Sequence, residues 1–390
     1  MKTKIGFLVQ VAFVACIGLI FLAGFARTAL APKEINSYEN RKANPLPPLS
    51  LEGFLSGEFQ DDVELALNDQ VQLAEAAKRY YNQTESKLAL SAMRGVFEGN
   101  PEKVFTYNGL MTTGGDYILY WPRTVDASGE KIAQRAENIK SLVNAYPDLD
   151  FFLYYIEKDT DFNIRTGEKQ GLYEFLMSEM GDARCSCRRF EVGDFETYAQ
   201  YFYKTDHHWN HRGSYKAYLE VRALLGITEP AVEPEEEFLV NHALSGSKAA
   251  EVKASGVWTE EMYAYKFRFP EMDVAVNGEA AEDYGQQNLP GMGTQSYGGY
   301  YGGDGGEVIL DCHQPEKPNI LVIGESYDNA ILKLLASHYN KTFSIDLRNY
   351  EHRMGQTFSF HDYVEKNNID LVLFIGNIDF LVSADFLVEE

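Results

Sequence analysis

The residues of this chain that are best suited to acid–base chemistry lie in one short stretch, Thr205–His211, with the sequence TDHHWNH. It holds three of the eight histidines of the chain. Asp206 precedes His208 by two positions, so its carboxylate can reach one nitrogen of that imidazole. A carboxylate in this position fixes the tautomer and leaves the other ring nitrogen free to act as a base. The stretch therefore predicts an oriented base, whose nucleophile must come from elsewhere in the chain.

A candidate nucleophile follows a predicted strand near the C-terminus. Ser326 lies in the sequence GESY at 324–327, between the apolar run Ile320–Ile323 and a helix predicted over Ala330–Ala336. α/β enzymes place working hydroxyls at the carboxyl ends of strands, where the next helix can offer free amides to an oxyanion. Gly324 permits the tight turn that such a position needs. The residues alone leave a second interpretation open, in which Ser326 only caps the helix.

A metal site is the alternative use of the histidine-rich stretch. Asp206, His207, His208 and His211 have suitable ligand types, but their spacing matches no zinc pattern. If the loop is extended, His207 points away from His208, and His211 is expected to be a solvent-exposed residue in the first turn of a helix. We predict no metal and no other cofactor.

The cysteines also bear on metal binding. Cys185 and Cys187 could form a metal site with Cys312 and His313, but the second half of a zinc spacing is absent. One of the two could instead form a disulfide with Cys312. We favour three unpaired thiols and a fold that does not depend on disulfides.

The elements that must position these residues alternate between strands and helices. Asn210 is a plausible N-cap for a helix that Gly226 stops, so the histidine-rich stretch should be the loop before that helix. The predicted strands are 150–156, 320–323, 343–347 and 371–375, and the other predicted helices are 58–90, 129–145, 330–336 and 356–366. Buried strands that alternate with helices imply parallel pairing. The sequence therefore predicts an α/β fold with an open, mainly parallel sheet flanked by helices.

Residues 229–315 differ in character and are predicted to be a mixed, β-rich insertion. An acidic run at 233–237 is most simply a solvated loop. The glycine-dense segment 297–306 permits two interpretations, flexible turns or backbone amides brought close to a ligand.

The N-terminus has the features of a membrane anchor. Residues 1–4 carry two lysines, and residues 5–26 have no formal charge and are long enough to cross a bilayer. We predict a cytoplasmic tail at 1–4, an uncleaved transmembrane helix at 5–26, a linker at 27–50 and one extracytoplasmic domain at 51–390. Ala29-Leu30-Ala31 leaves signal cleavage open as an alternative. The net charge of −23 argues against nucleic acid as a partner.

Three segments carry a resemblance to a known family. The stretch around Asp206–Trp209 resembles the motif that names the DHHW family, whose members are similar to the SGNH-hydrolase-like domains of the alginate O-acetylation proteins. The segment 321–330 resembles the family's nucleophile strand and turn, and Glu39-Asn40-Arg41 resembles its N-terminal pattern. The resemblance covers residue 36 to the C-terminus. It implies an SGNH-like, flavodoxin-like sheet.

The resemblance also implies a catalytic triad. Ser326 would be the nucleophile, His208 the general base and later the general acid, and Asp206 the residue that orients His208. The usual Gly-Asp-Ser is Gly-Glu-Ser here. Glu325 is one methylene longer than aspartate, which places in doubt any precise hydrogen bond by which this carboxylate would support the triad.

Other roles follow less directly from the resemblance. Gly303, Asp304 and Asn377 are the candidates for the oxyanion hole, although Asn377 could be only a turn residue. Trp209 could stack on a sugar or simply fix its loop, and Tyr300 and Tyr301 have the same two interpretations.

Taken together, these features predict a membrane-anchored, extracytoplasmic acyltransferase or esterase, with acetyl as the expected acyl group. By resemblance, its partners would be a surface polysaccharide and a membrane-bound acyl donor protein. The alternative is a non-catalytic module that binds glycan or acts as a scaffold in an export complex.

Overall fold

The structure of the protein is a computed structural model. It describes residues 11–19, 22–23, 26, 30, 32–33, 35–36, 41–70, 72–97, 103–113, 116–285 and 296–383. The chain divides into two compact units, Met1–Ala89 and Leu90–Glu390.

The N-terminal unit is largely helical. A two-stranded sheet of β1 (Ile35–Asn36) and β2 (Arg41–Lys42) precedes the helices. The helices in this part of the chain are α1 (Leu51–Ser56), α2 (Glu58–Gln70) and α3 (Gln72–Phe97). The predicted helix over 58–90 is therefore present, but as two helices.

Part of the predicted linker is attached to α2. Gln70 accepts a hydrogen bond from the N–H of Lys33 at 2.6 Å, and its amide donates to the carbonyl of Asn44 at 2.9 Å. The side-chain amide of Asn44 donates to Asp69 at 2.8 Å. These contacts, together with β1 and β2, give the described residues of the range 27–50 more structure than a linker is expected to have.

The predicted membrane anchor falls only partly within the described residues. Positions 1–10, 20–21 and 24–25 lie outside them, as do Glu39 and Asn40 of the family-like N-terminal pattern. Among the residues that are described, no helix has both the length and the apolar character needed to cross a membrane.

The C-terminal unit contains most of the strands. A three-stranded antiparallel sheet consists of β3 (Val104–Tyr107), β4 (Leu110–Thr113) and β5 (Tyr117–Leu119). The later strands are β6 (Asp150–Ile156), β7 (Cys185–Phe190), β8 (Pro234–Leu244), β9 (Glu260–Phe267), β10 (Asp273–Val276), β11 (Glu279–Ala280), β12 (Glu307–Asp311), β13 (Ile320–Ile323), β14 (Lys341–Ile345) and β15 (Leu371–Gly376).

An eight-stranded sheet organises this unit, with the order β11-β10-β12-β14-β13-β15-β6-β7. Pairing is parallel from β14 through β13, β15 and β6 to β7. Strands β12, β10 and β11 extend the sheet with antiparallel pairing. The prediction of an α/β fold with a large, mostly parallel sheet is confirmed.

Helices cover both faces of the sheet. They are α4 (Val125–Ala145), α5 (Leu172–Met180), α6 (Phe195–Tyr201), α7 (His211–Leu224), α8 (Ser247–Glu251), α9 (Tyr297–Tyr301), α10 (Leu332–Ala336), α11 (Leu347–Met354), α12 (Phe360–Asn367) and α13 (Ile378–Val382). Alternate residues of β6 enter two different apolar cores, because side chains alternate between the faces of a strand. Tyr154 lies in the core that includes Val221 of α7, whereas Leu153 lies in the core that includes Ile139 of α4.

Several helices and strands begin or end at residues other than the predicted ones, because a polar residue caps a helix there. The strand expected at 343–347 ends at Ile345, because the Asp346 side chain accepts from the N–H of Arg348 and starts α11. The helix expected at 129–145 begins at Val125, where Thr124 caps it. The helix expected at 356–366 begins later, at Phe360, with Ser359 as its cap.

The predicted insertion, 229–315, contributes to two sheets. Strands β8 and β9 pair as a separate antiparallel sheet, and β10 to β12 extend the main one. The acidic run at 233–237 is not a loop, as was expected, because Pro234 opens β8. Its side chains from Glu235 to Glu237 are exposed while the backbone pairs with β9, so the charges remain solvated within a strand.

The sheet has a topological switch point at the carboxyl end of β13. From β13 the chain passes to its neighbour β14, and then returns to the other side to form β15. In open α/β sheets the crevice at such a point is where ligands bind. Ser326 follows β13 directly and therefore lies at this crevice.

Candidate active site

The stretch Thr205–His211 forms a tight loop before α7. The N–H of Tyr203 donates to the carbonyl of His208 at 3.2 Å, which joins the two sides of the loop. Asn210 ends the loop as the N-cap of α7, because its side-chain oxygen accepts from two first-turn N–H groups at 2.9 and 3.1 Å. The predicted cap is confirmed, and the loop is fixed at both ends.

Ser326, His208 and Asp206 meet although the serine and the histidine are 118 residues apart. The hydroxyl oxygen of Ser326 lies 2.7 Å from Nε2 of His208. On the other side of the ring, Nδ1 lies 2.6 Å from Oδ1 of Asp206. All three residues are buried, with exposed fractions of 8%, 6% and 5% respectively. A continuous chain of hydrogen bonds therefore runs from the hydroxyl to the carboxylate.

The surroundings of Asp206 favour its ionised form. Its Oδ1 also accepts from the backbone N–H of His208 at 3.0 Å, and Oδ2 accepts from the N–H of Ser247 at 2.9 Å. Burial raises the pKa of Asp206, but the charge of the His208 imidazole and the hydrogen bonds from His208 outweigh burial and hold that pKa well below its usual value. An ionised Asp206 can only accept from Nδ1–H, so the Nε2 lone pair of His208 is directed at Ser326.

Aromatic rings hold the imidazole of His208 in place. Tyr297 stacks on it with ring centroids 3.8 Å apart and planes within 7°. His207 lies 3.8 Å from it, and its Nδ1 is 2.5 Å from the hydroxyl of Ser247. The expectation that His207 points away is wrong, because the loop is folded rather than extended. Burial lowers the pKa of His207, so this neighbouring ring is neutral.

A second layer of contacts comes from the predicted insertion. Glu260 accepts from the N–H of Thr205 at 2.6 Å and from its hydroxyl at 2.7 Å. Gly246 passes so close to the motif that a Cβ on it would lie 2.3 Å from the Cβ of Asp206. Sequence reasoning missed Gly246, Ser247 and Glu260. A Gly-Ser pair at the start of a short helix is a local signal for a helix start, but no sequence signal connects it to Asp206.

The turn that carries Ser326 is tight, as the position of Gly324 predicts. A Cβ on Gly324 would lie 2.5 Å from Oδ2 of Asp328, so only glycine fits there. The turn leads into a 3-10 helix at Asp328–Ala330 and then the five-residue α10. The predicted helix over Ala330–Ala336 is thus short and begins late. It neither starts at Ser326 nor uses that serine as its N-cap.

Comparison with known proteins places the chain in a family. A family model described as DHHW protein matches residues 149–345, just over half of the chain. The chain belongs to the DHHW family. No curated protein matches it in sequence.

Two solved structures share the fold of this DHHW protein. A DHHW family protein from Eubacterium siraeum has 15% identity and a TM-score of 0.57, over 74% of this chain and 99% of that one. PatB1 of Bacillus cereus has 18% identity and a TM-score of 0.53, over the same shares of the two chains. At such identities the likeness supports the α/β fold and nothing finer.

The tryptophan of the DHHW motif is a packing residue in this structure. Trp209 is fully buried, and its Nε1–H donates to the hydroxyl of Tyr297 at 3.2 Å. Tyr300 and Tyr301 are also buried, at 1% and 5% exposure. The expectation that these three rings stack on a sugar finds no exposed ring face here, because the rings instead fill the core beside the loop.

Glu325, where the DHHW protein departs from Gly-Asp-Ser, has a specific partner. Its Oε1 accepts from the side-chain amide of Asn377 at 2.7 Å and from the backbone N–H of that residue at 3.2 Å. Burial raises the pKa of Glu325, and Arg348, with Nη1 at 3.6 Å from Oε2, partly offsets this. The backbone N–H and one amide hydrogen of Asn377 are therefore directed at Glu325, so this asparagine supports the turn. Its amide has a second hydrogen, and its role as an oxyanion donor stays a prediction.

Gly303 and Asp304 each accept a hydrogen bond from the segment that follows Ser326. The side-chain amide of Asn329 donates to the carbonyl of Gly303 at 3.1 Å and to Oδ1 of Asp304 at 3.4 Å. An oxyanion hole requires donors. The bonds to Asn329 use acceptors of Gly303 and Asp304 and not their backbone N–H groups, so their role in an oxyanion hole stays a prediction. Their contacts with Asn329 instead join the glycine-rich segment to the turn.

The DHHW residues could alternatively bind a metal. One ligand atom from each of Asp206, His207 and His208 lies within 4.8 Å of the others. The fourth predicted ligand, His211, is separate: its Nε2 is 2.8 Å from Glu237. It is also only 7% exposed, so its predicted solvent exposure is wrong. A metal on Asp206 and His208 would compete with the hydrogen bond between them.

The cysteines lie apart from these residues. Cys185 and Cys187 are on β7, Cys312 follows β12, and all three are free thiols.

Glu325→Asp is expected to weaken the turn although it restores the sequence Gly-Asp-Ser. The shorter side chain withdraws the carboxylate from Asn377 and leaves two buried N–H donors short of an acceptor, at a cost of about 1–3 kcal/mol. We expect this loss in the free energy of unfolding measured with urea. Glu325→Gln, which keeps an acceptor at the same reach, is the matched control. An Asp variant as stable as the wild type would contradict this role.

Proposed function

We propose that this protein is a serine-dependent acyltransferase or esterase that uses Ser326, His208 and Asp206. One observation carries the proposal: the hydrogen-bond chain from the Ser326 hydroxyl through both nitrogens of His208 to Asp206. Its place at the switch point of a mostly parallel sheet adds support, because that crevice is where α/β folds bind substrates. A helix-capping role would not require Ser326 to be bonded to an oriented imidazole.

The first half of the reaction forms an acyl-enzyme. As the Oγ of Ser326 attacks the acyl carbonyl carbon, Nε2 of His208 takes the hydroxyl proton. The tetrahedral adduct collapses when its bond to the donor oxygen breaks, and His208 returns the proton to that leaving oxygen. Asp206 remains ionised and stabilises the imidazolium that exists between these two proton transfers.

The second half repeats these steps with an acceptor hydroxyl. Nε2 of His208 removes the acceptor proton while the acceptor oxygen attacks the acyl carbon. The bond to Oγ of Ser326 then breaks, and the serine recovers its proton from His208. Water in place of the acceptor gives hydrolysis, so transferase and esterase share every group and differ in how well water is excluded.

The substrate class is the part of the proposal that rests on the family resemblance. The DHHW motif is similar to that of the alginate O-acetylation proteins, so we propose acetyl as the acyl group and a hydroxyl of a surface polysaccharide as the acceptor. The sequence-based expectation of an anchor at 5–26 and of a membrane-bound acyl donor protein belongs to this proposal.

Covalent labelling tests the proposed function. The full chain is incubated with p-nitrophenyl acetate, quenched in acid and mapped by peptide mass spectrometry, with and without an acceptor oligosaccharide. We expect acetylation at Ser326, which the acceptor discharges with formation of acetylated sugar. Ser326→Ala should be unlabelled and should acetylate no acceptor. Equal turnover of the ester by both proteins would overturn the triad, and absence of turnover by either would favour the glycan-binding alternative.

A further inference from the structure

Two half-buried thiols, Cys185 and Cys187, lie on the same face of strand β7. They pair in register with Phe151 and Leu153 of β6, and these two residues belong to the apolar core that includes α4 and α5. Ser186 lies between the two cysteines, faces the other side of the sheet and is exposed. β7 is the last strand in the order of the sheet, and both cysteines are free thiols. The two sulfur atoms therefore lie side by side at a sheet edge.

The two thiols are close enough to share a hydrogen bond. Sγ of Cys187 is directed back along the strand and lies 3.4 Å from the carbonyl oxygen of Cys185. The hydrogen bond between the thiols lowers the pKa of Cys187 and, together with burial, raises the pKa of Cys185. Cys187 therefore ionises first, with the Cys185 S–H as its donor. Because the thiolate is the form of cysteine that binds metals, the pair offers one ligand directly and a second within reach of the same ion.

Within the described part of the chain, the pair lacks the further ligands that a zinc site needs. Asp206, His207 and His208 are the only described His, Cys, Asp or Glu side chains that bring three ligand atoms within 4.8 Å of one another. A structural zinc ion takes four such ligands. Two thiols without imidazole or carboxylate partners instead suit a soft cation that accepts only two or three ligands. Cu(I) is a cation of this kind.

The helix that covers this face of the sheet offers a third soft ligand. Met177 of α5 packs on the same apolar core as the two cysteines. It also lines, together with Cys187, a surface cavity of about 560 Å³ that opens to solvent. A thioether is a soft ligand that suits Cu(I), and the cavity gives an ion a path to the sulfur atoms.

We propose that Cys185 and Cys187 bind one Cu(I) ion, with the thioether of Met177 as its third ligand. Binding displaces the thiol protons into solvent and leaves the oxidation state of the ion unchanged, so no oxidant or reductant is consumed. The site lies near the start of β7, whereas Ser326 follows the end of β13, with β15 and β6 between these parallel strands. The copper site is thus separate from the triad and does not depend on the proposed function.

Anaerobic titration of the full chain with Cu(I) tests the proposal, with the coloured chelator bicinchoninate as the competitor. The wild type should withdraw one Cu(I) per chain from the chelator. Cys185→Ser/Cys187→Ser should lose this binding, whereas Cys16→Ser/Cys312→Ser, which removes the other two cysteines, should keep it. Met177→Leu, which keeps a similar volume, should weaken binding by about tenfold. No withdrawal of copper by the wild type, or equal binding by Cys185→Ser/Cys187→Ser, would overturn the proposal.

Phenylarsine oxide tests the spacing of the two thiols without copper. Its arsenic(III) bonds to two sulfur atoms, and the oxide oxygen leaves as water with both thiol protons. Mass spectrometry should find one such adduct on the wild type and on Cys16→Ser/Cys312→Ser, and none on Cys185→Ser or Cys187→Ser. Circular dichroism should show each variant to be folded. Adducts on either single variant at the wild-type yield would show that the two thiols do not act as a pair and would contradict the site.

Discussion

Asp206→Asn is expected to lower kcat for ester turnover by about 10⁴-fold, the scale seen when the equivalent change is made in a serine protease triad. Asp206 accepts from Nδ1 and the N–H of His208 through one oxygen and from the N–H of Ser247 through the other. An asparagine side chain has only one oxygen, so it can accept hydrogen bonds on only one of these two sides. If its oxygen accepts from Ser247, its NH₂ faces Nδ1, and His208 must place its proton on Nε2. The ring then donates to Ser326 and cannot take a proton from it.

The measurement of kcat for Asp206→Asn needs a matched control variant and a check that the variant is folded. Asp273→Asn makes the same change at a carboxylate whose side chain is 82% exposed, and its kcat should equal that of the wild type. Circular dichroism should show that the Asp206 variant is folded. Residual activity should approach that of Ser326→Ala, because both changes disable the same proton transfer. A loss smaller than tenfold would mean that Asp206 does not set the tautomer of His208.

The features of the site that could be predicted are the ones encoded locally. Asp206 and His208 are two residues apart, and Ser326 follows a continuous apolar strand, so residue type and spacing are sufficient to nominate them. Bringing them together required only that the loop before α7 reach the carboxyl end of β13. The α/β fold followed from the same local information, because alternating buried strands and helices have few arrangements.

The residues that hold the motif loop in place could not be predicted, because they are distant from the motif in sequence. Ser247 and Glu260 contact the motif over separations of 41 and 55 residues. They come from a segment whose sequence indicated only a mixed insertion. A serine and a glutamate have many ordinary roles, and nothing in their neighbourhood distinguishes these two. Only the folded chain shows that Gly246 is required by its closeness to Asp206.

Residue type also fails to separate buried aromatic residues from exposed ones. Trp209, Tyr300 and Tyr301 could equally bind a sugar or fill a core, and they fill a core. The tyrosines that do line a cavity, Tyr117 and Tyr263, lie in strands that attracted no functional prediction. Apolar and polar side chains alternate along a half-buried strand in the same way whether its outer face contacts water or a ligand.

Lys248→Met is expected to lower the free energy of unfolding by about 3–5 kcal/mol, the cost of leaving a buried charge without its partner. Lys248 has no exposed surface, and its Nζ donates to Oδ2 of Asp159 at 2.6 Å and to the hydroxyl of Tyr198 at 2.8 Å. Within the part of the chain that the structure describes, Oδ1 of Asp159 has no hydrogen-bond partner, so the carboxylate depends on the groups at Oδ2 and on the charge of nearby Lys158. Methionine fills a similar volume without the charge. Urea denaturation measures the loss.

Two further variants decide whether the loss comes from the unpaired charge or from the packing of the lysine stem. Lys341→Met removes a lysine whose side chain is 42% exposed and paired with Asp311, and should change the free energy of unfolding by less than about 1 kcal/mol. The double variant Lys248→Met/Asp159→Asn removes both charges, while the asparagine oxygen can still accept from the N–H of Tyr120 as Asp159 does. It should therefore be more stable than Lys248→Met alone. If the double variant is the less stable of the two, then packing of the lysine, and not the unpaired carboxylate, accounts for the effect.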